Sequence, residues 1–217
     1  MNGDALRKTT LLIISCILVT LLCWTKNSAA DYLSFSVENL RRGYLWVIIT
    51  ALFVHADPLH LIGNMLFLYV FGRTLEEEIG SAKTMLAFFL GGALSFILSA
   101  FLYEPDVSMI GASAAIFTLT SIAMIIKPLK FSWLFLMPLG LVALIYFIYN
   151  VLAVIYPGFG GTGVGYMGHM IGFLIGVPLG VMWSRGRWKR NILISIIMLL
   201  IYAILVNYAS IILRLEV

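Results

Sequence analysis

The sequence predicts an all-α membrane protein, a polytopic bundle of seven transmembrane helices, and three observations support this prediction. Hydrophobic residues make up 62% of the 217 residues and charged residues only 11%, whereas about 25% of a soluble domain is charged. Mean hydropathy is +1.04. The apolar residues fall into seven segments, each near the roughly 20 residues that a helix needs to cross the hydrocarbon core. We therefore expect residues 1–217 to form one membrane domain without a separate soluble domain.

The seven apolar segments are expected to be helices, because lipid cannot hydrogen-bond irregular backbone. In chain order they are Leu6–Trp24, Leu59–Leu75, Thr84–Tyr103, Ala112–Ile126, Phe131–Tyr156, Val164–Trp183 and Ile192–Leu213. Residues 25–58, the longest connection, mix charged and aromatic side chains, which is typical of the membrane interface. Asp57 and Pro58 have the pattern of an N-cap followed by proline in the first turn. The second helix is therefore predicted to begin there, with His60 in its first turn.

The first segment has an alternative interpretation as a cleaved signal peptide. Small residues at positions 28–30 resemble a cleavage site. The apolar stretch is long for a signal peptide and many spans follow it, so a retained helix is favoured. Cys16 and Cys23 in this segment are separated by about 10 Å of helix, which is too far for a disulfide between them.

Positive charges predict the orientation of the chain. If the N-terminus is cytoplasmic, ten of the 14 Lys and Arg residues fall at inner ends of the segments and four at outer ends, as the positive-inside rule requires. The inner residues are Arg7, Lys8, Arg73, Lys83, Lys127, Lys130, Arg185, Arg187, Lys189 and Arg190, and the outer ones are Lys26, Arg41, Arg42 and Arg214. We therefore expect a multi-pass protein of the cell membrane with a cytoplasmic N-terminus and an external C-terminus.

Polar side chains in three of the segments fall at one depth. His60 and Asn64 lie near the outer end of the second segment. Ser113 lies near the outer end of the fourth, and His169 one to two turns into the sixth. At 1.5 Å per residue, all four lie within about 10 Å of the same depth. Because polar residues inside a membrane span indicate a functional site, we expect the four to meet near the outer face.

These residue types suit hydrolysis by an activated serine. A serine hydroxyl is a weak nucleophile until a base takes its proton, and His169 can be that base for Ser113. Ser113 begins a helix, where free N–H groups favour negative charge. Asn64, His60 and the Ser113 N–H can donate hydrogen bonds to an oxyanion. Because neither the fourth nor the sixth segment contains a carboxylate, we expect a Ser–His dyad without a third member.

Each polar residue also has a structural interpretation. A serine in a membrane helix usually bonds a backbone carbonyl, and a single histidine can simply join two helices. Glycines recur every fourth residue in the sixth segment, which favours close packing against the small residues of the fourth. They are Gly168, Gly172, Gly176 and Gly180. The functional interpretation depends on the joint occurrence of all four polar residues at one depth.

Other kinds of site are not expected. Residues 158–163 match G-x-G-x-x-G but follow a membrane helix rather than a strand, so no cofactor is predicted and a flexible loop over the site is favoured. His55 and His60 are five residues apart and no carboxylate joins them within the membrane, so no metal is predicted. The basic residues at 185–190 lie between two membrane segments, which favours a cytoplasmic anchor over binding of nucleic acid. The absence of an internal repeat and of polar residues at the midplane argues against a solute transporter.

Taken together, the motifs resemble those of the rhomboid intramembrane serine proteases. The first is His60-x-x-x-Asn64 followed by Gly72-Arg73-x-x-Glu76, within Trp46–Glu76. The others are Gly111-Ala112-Ser113, with Phe117 where the family has an aromatic against the histidine, and Gly168-His169-x-x-Gly172. The motifs follow the family order across six helices, and the seventh resembles the six-plus-one arrangement. The resemblance divides the domain into a core at 6–184 and an additional helix at 190–213.

The resemblance implies a role for each site residue. Ser113 would be the nucleophile, His169 the general base and acid, and His60 and Asn64 would stabilise the oxyanion. The substrate would be a transmembrane segment of another protein within the lipid bilayer, cut near the outer face. The fifth helix and the loop at 157–163 would gate access to the site.

Two positions depart from the family pattern. Ala114 stands where the family usually has glycine after the serine, and Trp46-Val47 replaces the Trp-Arg pair of the first loop. An alternative is therefore a catalytically inactive rhomboid-like protein that holds membrane clients without cutting them. Such relatives typically lack the serine or the histidine. Because this chain has both residues, an active protease is the favoured interpretation.

Overall fold

A computed structural model describes residues 7–156 and 158–215, which are predominantly helical. In chain order the elements are α1 (Lys8–Thr25), α2 (Asn27–Leu33), α3 (Val37–Arg41), α4 (Val47–Thr50) with a 3-10 turn (Ala51–Phe53), α5 (Pro58–Phe67), a π-helical turn (Leu68–Gly72), α6 (Arg73–Ile79), α7 (Ser81–Ser99), α8 (Ser113–Ile126), β1 (Phe131–Ser132), β2 (Met137–Pro138), α9 (Leu139–Ile155), α10 (Tyr166–Trp183) and α11 (Trp188–Leu215). The prediction of a helical protein is confirmed.

Several helices suit a membrane by length and composition. Among the described residues, α1, α7, α10 and the Trp188–Ile212 part of α11 are each long and apolar enough to span one. A fifth candidate combines Val47–Phe53 with Pro58–Ile79, two stretches that meet at 95°. Helices α8 and α9 are apolar but shorter. The chain is therefore a multi-pass helical membrane protein with four or five candidate spans by these measures.

The fifth predicted segment is wrong at its start. A helix was expected from Phe131, but residues 131–138 form a two-stranded antiparallel hairpin in which Phe131 pairs with Pro138. The helix begins only at Leu139. Proline disfavours helical backbone in the residue before it, which keeps Met137 extended. A short apolar run cannot by itself distinguish a strand from a helix.

The remaining boundaries shift by a few residues, as helix ends usually do. The third predicted helix ends at Ser99 rather than Tyr103, and the seventh begins at Trp188 rather than Ile192. The second continues to Ile79, where Gly80 with φ +84° separates it from α7. The predicted start of the first segment, Leu6, lies outside the described residues. The predicted N-cap is confirmed, since the Asp57 side chain accepts the His60 N–H at 2.8 Å.

Helix α8 is the centre of the bundle. All residues from Ala114 to Ile125 are buried, because α7, α9 and α10 pack around them. The fold therefore places the residue that begins α8, Ser113, at one end of the most enclosed helix. We call this the Ser113 end of the bundle and the other the Ile126 end.

Ion pairs join separate elements at the Ile126 end. Glu77 lies 2.6 Å from Arg7 and 2.8 Å from Lys130. Glu78 lies 2.9 Å from Lys127. Glu76 accepts the backbone N–H of Lys8 at 3.0 Å, which satisfies a free donor at the start of α1. The acidic run that ends α6 thus holds α1 and the hairpin connection beside it.

Helix α11 caps the end of α8. The Asn191 amide nitrogen donates to the carbonyls of Ile125 at 2.8 Å and Ile126 at 3.1 Å. These are carbonyls that a helix C-terminus otherwise leaves without partners. One turn on, Ser195 is packed against Gly140 of α9. From residue 200 to 212 the α11 side chains are exposed, so only its first half belongs to the packed bundle.

Candidate functional site

Ser113 and His169 meet at the Ser113 end of the bundle. The His169 Nε2 atom lies 2.7 Å from the Ser113 Oγ atom, which is a normal length for a hydrogen bond to a hydroxyl. Ser113 is the first residue of α8, and His169 lies one turn into α10. His169 is only 8% exposed and Ser113 is half-buried. The arrangement joins a hydroxyl to an imidazole that can accept its proton.

A tight turn positions Ser113. Gly111 has φ +109°, a backbone conformation that favours glycine. A side chain there would also lie 2.8 Å from the His60 Nε2 atom. The backbone N–H of Gly111 donates to Ala51 at 2.9 Å, and that of Ala112 donates to the His55 Nε2 atom at 3.4 Å. His55, for which the sequence suggested no role, therefore helps to support this turn.

His60 and Asn64 lie on one side of α5. The His60 ring approaches Gly111, next to Ser113, as described above. Asn64 is buried, and its amide nitrogen donates to the His60 carbonyl at 2.8 Å within its own helix. An amide has two N–H groups, so this bond uses one of them. The structure thus brings His60 beside the serine turn and orients the Asn64 amide from the same helix.

The predicted packing between the fourth and sixth segments is confirmed at three of the four glycines. A Cβ atom at Gly172 would lie 2.2 Å from the Ala114 carbonyl oxygen, and one at Gly176 would lie 2.0 Å from the Ser121 Oγ atom. Gly180 faces Ile125 in the same way. The prediction is wrong for Gly168, which faces Ser99 of α7. A residue every fourth position advances about 40° around the helix, so the stripe turns away from α8.

Aromatic rings form a row from α5 to the histidine. The Phe117 ring stacks on the His169 ring, with centroids 4.7 Å apart and planes 11° apart. On its other side Phe117 stacks on Tyr146 of α9, also at 4.7 Å. Tyr146 in turn stacks on Phe67 of α5 at 4.7 Å. The row fixes the plane of the imidazole and forms the contact between α9 and α5.

The loop after α9 lies beside these rings. Phe159 is 5.6 Å from Tyr149 of α9 between ring centroids. The Tyr166 hydroxyl donates to the Gly161 carbonyl at 3.4 Å, and the Tyr166 ring meets the His169 ring edge-on at 6.2 Å. The glycine-rich loop is therefore attached to the two helices that hold the His169 side of the site.

Asn150 is a site residue that the sequence interpretation missed. Its Oδ1 atom lies 2.8 Å from the His169 Nδ1 atom, and its side chain is only 1% exposed. The sequence interpretation looked for a carboxylate in the fourth and sixth segments and so expected no third partner. The available signal was an asparagine in the middle of an apolar helix, since polar residues at lipid depth indicate function.

The comparison with known proteins agrees with these features. A family model described as the rhomboid domain matches residues 42–186. Rhomboid-like protein 11, chloroplastic, of Arabidopsis thaliana is 29% identical over 163 residues, covering 67% of this chain and 57% of the relative. Rhomboid-like protease 3 of Toxoplasma gondii is 33% identical over 143 residues, covering 62% and 50%. The chain spans about half the length of the curated relatives it matches. Because the family model covers more than half of the sequence, the chain belongs to the rhomboid family.

Proposed function

We propose that this protein is an intramembrane serine endopeptidase that hydrolyses a peptide bond in or near transmembrane segments of membrane-protein substrates. The observation that carries the proposal is the 2.7 Å contact between the Ser113 hydroxyl and the His169 Nε2 atom. A serine and a base within hydrogen-bond distance are the signature of an activated nucleophile. Family membership and the similarity to Rhomboid-like protease 3 support the same class of reaction.

In this mechanism His169 moves the proton. Nε2 takes the hydroxyl proton as Ser113 Oγ attacks the scissile carbonyl, and it then gives that proton to the leaving amine. Water, activated by the same nitrogen, releases the acyl group. The Ser113 N–H, Asn64 and His60 donate to the oxyanion of each tetrahedral intermediate. Single donors of this kind are typically worth about 10²–10³ in rate.

The proposal includes an architecture and an orientation. Counting α5–α6, α8 and α9 as spans gives seven transmembrane helices in a single domain, with a six-helix core at 6–184 and an additional helix at 190–213. The distribution of Lys and Arg favours a cytoplasmic N-terminus in the cell membrane. The Ser113 end would then lie towards the outer face, where α9 and the loop at 157–163 admit the substrate.

The alternative function is an inactive rhomboid-like protein that binds membrane clients, and Ala114 is the residue that favours it. Ala114 is buried where α8 meets α10. Its carbonyl oxygen occupies the space that a side chain at Gly172 would need. The contact between Ser113 and His169 is formed with the Ala114 methyl group in place. The geometry therefore supports activity over inactivity.

Replacing the dyad tests the proposal. In proteoliposomes that contain a model transmembrane substrate, Ser113→Ala and His169→Ala are each expected to lower the cleavage rate by at least about 10⁴-fold, the scale of losses in serine hydrolases. Ser121→Ala, the same change two turns along α8, is the matched control and should retain cleavage. A fluorophosphonate probe should label the wild type and Ser121→Ala but not Ser113→Ala. Near-normal cleavage by Ser113→Ala would exclude the serine mechanism, and a wild type without cleavage or labelling would favour the inactive protein.

A further inference from the structure

Asn150 makes two hydrogen bonds, one in which its side chain donates and one in which it accepts. Its amide nitrogen donates to the Tyr146 carbonyl at 2.7 Å, and its Oδ1 atom lies 2.8 Å from the His169 Nδ1 atom. The amide is buried, in a part of α9 where its helical neighbours are exposed to the surroundings or half-buried. A buried polar group costs free energy unless it is hydrogen-bonded, so both bonds matter to this side chain.

These bonds determine which way the amide faces. A backbone carbonyl can only accept a hydrogen bond, so the group that faces Tyr146 must be the NH₂. The oxygen therefore faces His169, and an amide oxygen can only accept. It follows that His169 Nδ1 must carry a proton, which leaves the lone pair of a neutral imidazole on Nε2. That lone pair is directed at the Ser113 hydroxyl.

We propose that Asn150 is a positioning residue that holds His169 in the Nδ1–H tautomer, so that Nε2 is free to accept the Ser113 proton. The proposal rests on the proposed function and adds to it a third residue, from a helix that supplies neither member of the dyad. During acylation the Ser113 proton moves from Oγ to Nε2 and then to the leaving amine, and during deacylation a proton of the attacking water moves to Nε2 and then to the departing Ser113 Oγ. The Nδ1 proton stays in place, and Asn150 remains neutral throughout.

An amide suits this position better than a carboxylate. An ionised carboxylate buried at membrane depth is costly, whereas an amide is neutral and can bond an acceptor and a donor at once. Its NH₂ group donates to the Tyr146 carbonyl, whereas an ionised carboxylate would place a second acceptor against that carbonyl. The imidazolium that forms during each step is stabilised by the same Oδ1 atom.

The tautomer of His169 can be measured directly. With all histidines labelled with ¹⁵N, protonated and unprotonated ring nitrogens have different shifts, and the couplings to the ring protons distinguish Nδ1 from Nε2. A His169→Gln variant identifies the His169 signals. In the resting wild-type protein we expect the Nδ1–H tautomer. This readout needs no substrate, so it stands even if the protein does not cleave one. Finding the Nε2–H tautomer would overturn the proposal, whereas absence of cleavage would overturn only the protease.

Variants of Asn150 separate positioning from packing. Asn150→Leu removes the acceptor, and we expect it to lower kcat by about 10- to 100-fold, as loss of the partner that orients a metal-binding histidine does, with KM little changed. It should also lose the preference for Nδ1–H. Asn150→Asp keeps an acceptor and should recover part of that kcat. Val142→Ala, a buried change two turns away on α9, should leave the tautomer unchanged and controls for loosening of the helix.

Three results would contradict a positioning role. If Asn150→Leu keeps both the tautomer and kcat, His169 needs no acceptor from α9. If Asn150→Leu loses activity while the Nδ1–H tautomer persists, or if Val142→Ala loses as much, Asn150 acts through packing alone. A loss of kcat together with the tautomer, with partial recovery in Asn150→Asp, would support the proposal.

Discussion

Helices α8 and α10 meet backbone to backbone, whereas the second half of α9, after Ala143, meets its neighbours through aromatic rings and the Asn150 amide. At the first contact, which we call the seam, Gly172 and Gly176 leave no room for a side chain. The Thr118 hydroxyl also crosses it to the Gly172 carbonyl at 2.8 Å. In α9, by contrast, Leu139–Ala143 are buried, and beyond them Asn150 is the one buried residue of the described helix.

The two kinds of contact correspond to two proposed roles, holding the dyad and admitting the substrate. Ser113 and His169 both lie at the seam, where close packing holds their atoms 2.7 Å apart, within the distance that the proposed proton transfer needs. Beyond Ala143, the contacts of α9 are made by aromatic rings and by the hydrogen bond between Asn150 and His169. The proposed dyad thus lies on the closely packed part of the bundle, whereas the proposed gate, α9, reaches it through aromatic rings and the amide of Asn150.

The largest effect is expected from breaking the seam. Gly172→Val should reduce cleavage by more than about 10²-fold, because small displacements of reacting groups have effects of this size. Overpacking should also destabilise the fold by about 1–3 kcal/mol. The Ala114 carbonyl cannot rotate away as a side chain would, so Gly172→Ala should be harmed too. Cleavage rate and thermal unfolding are measured together, with Gly168→Ala as control because its nearest neighbour is 3.4 Å away. An unaffected Gly172→Val would show that the seam does not control the dyad.

A smaller effect is expected at Asn64, which lies outside the seam. Asn64→Ala should lower kcat by about 10²-fold and leave measurable activity, because the Ser113 N–H and His60 remain as donors. The assay is kcat in proteoliposomes, with Gly63→Ala as control because nothing lies near that position. An unchanged kcat would remove Asn64 from the proposed oxyanion site.

The contact between α9 and α5 can be loosened at Phe67. An aromatic pair is worth about 0.5–1.5 kcal/mol beyond its buried area, so Phe67→Ala should ease separation of the two helices. Cleavage of a transmembrane substrate is expected to rise by up to about tenfold. Labelling of Ser113 by a small serine probe should change less, because a small probe needs no helix displacement. Equal changes in both assays would argue against α9 as the gate.

The smallest effect should come from one hydroxyl within the seam. Thr118→Val keeps the side-chain shape but removes the bond to Gly172, which should cost about 1 kcal/mol of unfolding free energy. Thr120→Val is the matched control, because its hydroxyl bonds the Ile116 carbonyl within α8 at 2.8 Å. Stability to denaturant compares the two variants. Equal losses would mean that the hydroxyl adds nothing across the seam.

Periodicity and polar content predicted much of this arrangement. The helical fold, the Asp57 N-cap and the close packing of the glycine stripe could be predicted because each depends on local spacing. Hairpin 131–138 could not, since its apolar residues read equally well as the start of a helix. The orientation of Gly168 towards α7 was also not predicted. Residues spaced four apart rotate gradually around the helix, so the first glycine of the row faces a different neighbour from the last.

Asn150 was missed for a different reason. The sequence interpretation asked which acidic group could assist His169, and an amide can meet the same geometric need without charge. Which face of α9 meets α10 depends on the packing of three helices, and spacing along one helix does not determine it. Only the three-dimensional arrangement pairs residues 19 positions apart in the sequence.

The cap that Asn191 places on α8 affects where the chain can be truncated. The rhomboid family match ends at residue 186. A domain boundary placed there would leave all of α11 outside the domain. Yet the amide that covers the last carbonyls of α8, the helix that begins with Ser113, comes from Asn191, beyond that boundary. A truncation at that boundary would remove the hydrogen bonds from Asn191 to the Ile125 and Ile126 carbonyls. A shortened chain that keeps this cap on α8 must therefore extend past the matched domain, at least to Asn191.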